Sequence, residues 1–163
     1  MAGPSLTIEQ VLSLLAESPT RIAGSTAGLS LSQLHSNPRP DEWSANDVLA
    51  HLRSCADVWG KCIAVIIAEN KPTIRAVNPR TWIRRTTYLE AEFWSSLGAF
   101  ASQRSDLLAI FEPLAPEGWS RVATVTGAGR VIERSVLSYA EWMASHEQTH
   151  VKQIERIAEA LRI

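Results

Sequence analysis

The stretch HEQTH, His146 to His150, stands thirteen residues from the end of a 163-residue chain. On a helix its two imidazoles, four residues apart, project side by side from one face. The spacing is that of the H-E-x-x-H pattern, in which two histidines hold zinc and the glutamate serves as a general base. A third histidine, His51, interrupts another apolar helical stripe, between Val48 and Cys55. The fourth, His35, falls in a polar, proline-rich stretch. One histidine on an apolar face is ordinarily a satisfied core residue. A pair at i, i+4 joined by a third on a separate helix points instead to a shared divalent ion. Three nitrogen donors with one position left open is the arrangement of a catalytic zinc-type site, and zinc, nickel and iron all accept imidazole.

The protease reading fails on the rest of the chain. Zincins take a third ligand from a downstream glutamate, or from a histidine in the extended H-E-x-x-H-x-x-G-x-x-H motif. Here Gln153 occupies the glycine position and Arg156 the final histidine position. Glu155 and Glu159 belong to the same helix and cannot fold back. Glu147 is left with two readings, a residue supporting the metal site or acting as a base, and a solvated glutamate on the helix surface.

Four long helical patterns must position these residues. The first runs from about Thr7 to Ala27 with Val11, Leu15 and Ile22 on its apolar face, and Ser18-Pro19 predicts a kink or restart. The second begins at Ser44, an N-cap with Asp47 three residues on, and continues to about Glu69. The third spans about Thr87 to Glu112 and is ended by Pro113 and Pro116. The fourth spans about Ile132 to Leu161. Asn78-Pro79 reads as the cap and first turn of a short helix. Residues 119–131 carry β-branched residues and a glycine turn, suited to an extended loop or hairpin. The expected fold is all-α, a four-helix bundle with a long connection between its second and third helices, in one domain spanning residues 1–163.

Bulk properties set the remaining bounds. The formal net charge is −1 and 45% of the residues are hydrophobic, so nothing global suggests nucleic acid. No apolar run approaches the ~20 residues of a membrane span. The start, MAGPSLTIEQ, lacks the basic-then-apolar order of a secretory signal. Cys55 and Cys62, seven apart on one helix, would have Cα atoms about 10.5 Å apart, beyond the ~7 Å limit of a disulfide. Free thiols fit a reducing cytoplasm. The six tryptophans read first as core and pocket lining.

Two segments carry a family resemblance. DEWSANDVLAHLRSCADVW, Asp41 to Trp59, resembles the start of the second helix in the DinB-like (YfiT-like) metalloenzyme superfamily, with its Trp-Ser start and later His-Leu. HEQTHVKQIERI, His146 to Ile157, resembles that family's final helix, a histidine pair followed by Gln-Ile. The resemblance implies an up-down-down-up bundle with one divalent metal ion on His51, His146 and His150. The related mycothiol-dependent maleylpyruvate isomerases replace one histidine of the pair by glutamate, whereas this chain keeps both. It further implies a thiol-dependent transferase or isomerase, commonly a homodimer.

A metal with an open position lowers the pKa of a bound thiol, or equally of water. The first suits transfer of a low-molecular-weight thiol to a small electrophile; the second suits hydrolysis. A non-catalytic metal-binding bundle is the third possibility. Cys55, one turn after His51, reads as a small buried hydrophobe with ligation as the alternative. The segment Asn70 to Leu89 holds Lys71, Arg75, Arg80, Arg84 and Arg85 and no acid. Arg84 and Arg85 are its candidate contacts for an anionic thiol, against the plainer reading of a solvated basic loop.

Overall fold

Capping chemistry sets the helix starts in a computed structural model that describes residues 5–162. The first four residues of the MAGPSLTIEQ start lie outside these. Helix α1 (Ile8–Thr26) opens on Thr7, whose side chain and that of Gln10 cap one another's backbone N–H groups. A short α2 (Leu31–His35) follows. Helix α3 (Ala45–Ala68) opens on the Ser44–Asp47 capping box that the sequence indicates. The connection after it holds strand β1 (Thr73–Arg75), helix α4 (Pro79–Trp82) capped by Asn78, and two 3-10 turns at Ile83–Arg85 and Tyr88–Glu90. Helix α5 (Phe93–Phe111), short helix α6 (Pro116–Trp119), strands β2 (Val122–Thr126) and β3 (Ile132–Ser135) and helix α7 (Val136–Leu161) complete the order.

The four long helices form the body. Helix α7 packs on α1 and α3, and α5 packs on the same two. Phe93, Phe100 and Phe111 of α5, Leu15 and Ile22 of α1, Ile63 and Ile66 of α3 and Met143 and Ile154 of α7 are fully buried. Each such side chain contributes about 1.5–3 kcal/mol by leaving water.

Three expectations need correction. The fold is not all-α: β1 pairs parallel with β2, and β2 pairs antiparallel with β3. The β2–β3 hairpin turns through Gly127 and Gly129, both at positive φ. Its inward residues Ala123 and Val125 close one end of the core beside Trp119 and Tyr139. The third long helix begins six residues later than expected, because Glu92, not Thr87, caps it, accepting from the N–H groups of Trp94 and Ser95. The fourth begins four residues later, since Ile132–Ser135 pair as β3 before Ser135 caps α7.

Pro19 does not restart α1; the helix runs through it. Proline has no N–H, so the Leu15 carbonyl one turn back loses its usual partner. The Arg104 guanidinium of α5 donates to that carbonyl at 3.0 Å through Nη1. The same guanidinium pairs with Glu147 of α7, both groups being buried. One arginine therefore ties three helices together.

Asp57 fixes the long connection against α3. Its carboxylate accepts from the Tyr88 hydroxyl at 2.5 Å, Trp82 Nε1 at 3.2 Å and Gln103 Nε2 at 2.6 Å. Ser54 adds a hydroxyl bond to the Pro79 carbonyl at 2.7 Å. These contacts place α4, and with it Arg80, beside the histidine-bearing stretch of α3.

Candidate metal centre

His51 lies on α3, and His146 and His150 on the facing side of α7. The bundle brings all three rings together, with centroids 5.2 Å apart for His51–His146, 4.9 Å for His51–His150 and 4.5 Å for His146–His150. His51 Nε2 and His146 Nε2 are 3.4 Å apart. Two nitrogens held at ~2.05 Å by one tetrahedral ion would stand about 3.3 Å apart. The separation observed between these two atoms is the one such an ion needs.

Protonation favours the same use. Burial, then the nearby His150 and Arg80, lowers the His51 pKa to about 4. Burial, His150, His51 and Arg80 lower that of His146 to about 4. Both rings are neutral at pH 7 and keep a lone pair for a ligand bond. His146 Nδ1 is buried with no hydrogen-bond partner. His150 is oriented from its own helix: Nδ1 lies 2.8 Å from Gln153 Oε1. That oxygen can only accept, so Nδ1 carries the proton and Nε2 is left free, the outer-partner arrangement typical of metal-binding histidine.

Cys55, one turn along α3 from His51, reaches the same place. Its Sγ is 3.5 Å from His51 Nε2. Donor atoms of His51, Cys55 and His146 all lie within 4.8 Å of one another. Burial, aided by the Glu147 charge and opposed by Arg80, pushes the thiol up to about 12.

Tryptophans and one arginine enclose the cluster. Trp59 meets His146 edge-on at 5.0 Å, and Trp43 lies parallel to His150 at 6.4 Å and tilted on His51 at 5.3 Å. Two cavities flank Trp43. One, of about 500 Å³, is lined by His150, Gln153, Arg80 and Arg156 and by the acids Asp41 and Glu42. The other, of about 350 Å³, is lined by His51, Asp47, Arg80, Ile83 and Leu89. Arg80 borders both, its guanidinium 5.9 Å from the Trp43 ring.

The remaining candidates fall elsewhere. Arg84 and Arg85 are exposed and line neither cavity. Arg80, also exposed and four residues earlier in the same basic segment, is the one that lines both. Glu147 is not a solvated surface residue, and it makes no hydrogen bond to the histidines. It is buried, and both its oxygens are taken by Arg104. His35 closes α2 and accepts from the Phe93 N–H at 3.2 Å. Glu155, excluded above as a zincin ligand, pairs with Arg21 of α1 at 2.7 Å.

The sequence profile of the DinB superfamily matches residues 14–154. The chain belongs to this superfamily. The match contains both α3 with His51 and the histidine pair of α7, so the family segment and the spatial cluster coincide. No curated protein matches the sequence. Among solved structures, YfiT from Bacillus subtilis superimposes with a TM-score of 0.80 at 18% identity, over 98% of this chain and 91% of that one. YfiT is described as "a probable metal-dependent hydrolase with an unusual four-helix bundle topology". At that identity the likeness establishes a shared fold. The DinB chain described here thus has the family's helical bundle and carries a His/Cys cluster able to hold a metal.

Proposed function

We propose that this DinB-superfamily chain is a metal-dependent enzyme that transfers a low-molecular-weight thiol to a small electrophile. The reading takes His51, His146 and His150 as ligands of one divalent ion. The observation that carries it is the convergence of three imidazoles beside a cavity of about 500 Å³ bordered by Arg80 and Arg156. A divalent ion held there would lower the pKa of a coordinated thiol or water. His150, on the cavity wall, is the ligand nearest to an entering substrate. Arg80 and Arg156 would hold a carboxylate of the thiol or its acceptor by charge-assisted hydrogen bonds. Trp43, close to His51, His150 and Arg80, offers a flat apolar surface beside the site. The expected setting is a cytoplasmic homodimer acting on small molecules.

Hydrolysis is the second reading, favoured by the fold shared with YfiT. One assay separates the two. Metal-loaded protein is mixed with glutathione, coenzyme A, bacillithiol or mycothiol and a chloro-dinitro arene, and in parallel with activated esters. Thiol loss above the background rate, abolished in His150→Ala, supports transfer. Ester cleavage with no thiol acceleration contradicts it and leaves the hydrolase.

A further inference from the structure

We propose that Cys55 is a fourth protein donor, so that this chain builds a mixed nitrogen–sulfur centre in place of an all-imidazole one. The proposal rests on the metal-site reading above and adds to it the identity of one ligand.

The argument is geometric. His51 and Cys55 are four residues apart on α3, so their side chains share a face. An ion bound to sulfur at ~2.3 Å and to nitrogen at ~2.05 Å, with tetrahedral angles, separates the two donors by about 3.6 Å. Cys55 Sγ stands 3.5 Å from His51 Nε2, and His146 Nε2 stands 3.4 Å from that same nitrogen. His51 Nε2 is therefore a vertex shared by two edges, each of tetrahedral length. Cys62, also buried on α3, lies outside this group and lines separate cavities with Val58. Cys55 is only 1% exposed, so it is not placed to serve as a nucleophile that substrate reaches from outside.

On binding, the Sγ–H bond breaks and a sulfur–metal bond forms, with the proton released to solvent. His51, Cys55 and His146 would form the inner set, with His150, on the cavity wall, as the fourth and outer donor, and an incoming substrate would add as a fifth ligand, an expansion that zinc accepts. A thiolate donor also shifts selection toward zinc and away from manganese and magnesium.

The test is cobalt(II) titration of the metal-free protein, read by absorption. The expected spectrum has an intense near-ultraviolet sulfur-to-cobalt charge-transfer band that saturates at one equivalent. The band persists in Cys62→Ser and His35→Ala and is lost in Cys55→Ser and Cys55→Ala. Both Cys55 variants should also bind cobalt more weakly, by at least the ~10–100-fold that loss of an outer partner costs. X-ray absorption on zinc-loaded wild type should show one sulfur neighbour, a reading that needs no variant to fold. Stoichiometric cobalt without the band, and zinc with nitrogen and oxygen neighbours only, overturns the Cys55 assignment and leaves the histidine site standing. Failure of the wild type to bind either metal overturns both.

Discussion

Replacing Glu147 by glutamine separates the role the structure gives this residue from the role its motif suggests. The carboxylate is buried and holds Arg104 through both oxygens, one contact at 2.5 Å. Glutamine keeps the shape, removes the charge and leaves the guanidinium buried without a counter-ion. Breaking a buried pair in this way costs about 3–5 kcal/mol. For a domain of this size each kcal/mol moves Tm by ~2–4 °C, so a fall of roughly 6–20 °C is expected. Arg104→Met should cost a similar amount. The double variant Arg104→Met/Glu147→Leu should recover most of the loss, because no charge is left unpaired. A residual cost of about 1–3 kcal/mol should remain. The Leu15 carbonyl, which Pro19 prevents α1 from satisfying, would lose its Arg104 donor. The assay is thermal and urea unfolding of the four proteins, with metal content measured on each folded sample. Unchanged stability of Glu147→Gln together with loss of metal would refute the reasoning and return Glu147 to the site.

Acid should destabilise the metal-free protein. His51 and His146 titrate near 4 when folded and near ~6.5 when unfolded, so the unfolded chain binds more protons between those values. Stability is then whole above the unfolded pKa, falls as pH drops through the window and levels off below it. Between pH 7 and 5 the loss is about 2 kcal/mol per histidine. Urea midpoints against pH should show this slope, and His51→Asn should flatten it; identical curves for wild type and variant would contradict the burial argument. Arg80→Ala should raise KM for an anionic thiol by roughly tenfold or more, the loss of one hydrogen bond to a charged group. The double variant Arg84→Ala/Arg85→Ala should leave that KM within twofold, and steady-state kinetics on the two variants gives the comparison. Metal-dependent cleavage of an unstructured protein is not expected, because the downstream zincin ligand is missing; cleavage lost on chelation would overturn that conclusion.

Local rules made the histidine-bearing faces legible. The Ser44–Asp47 box fixed the phase of α3, and a fixed phase places His51 on the inner face. The i, i+4 spacing did the same for His146 and His150. The Arg104–Glu147 pair also left a trace. Arg104 sits in the stripe Leu97, Phe100, Leu107, Phe111, and Glu147 in the stripe Ala144, Val151, Ile154, all buried. Opposite charges, each at a core position of its own helix, are the signature of a buried ion pair. The glycine turn and β-branched residues of 119–131 marked the hairpin as one of two readings, whereas β1 left little trace because it has three residues and pairs with a strand about fifty residues away, which no local period records. That Arg80, and not Arg84 or Arg85, lines the two cavities depends on Asp57 and Ser54 anchoring the connection on α3, a tertiary contact with no pattern in the segment itself.

The central claim, a metal site built from His51 and the histidine pair of α7, is tested most directly by elemental analysis. Protein purified from metal-supplemented medium should carry about one divalent ion per chain. His51→Ala and His146→Ala should lose it while folding normally by circular dichroism, and His35→Ala should keep it. A wild type without metal, or one whose bound metal survives both substitutions, would contradict the account.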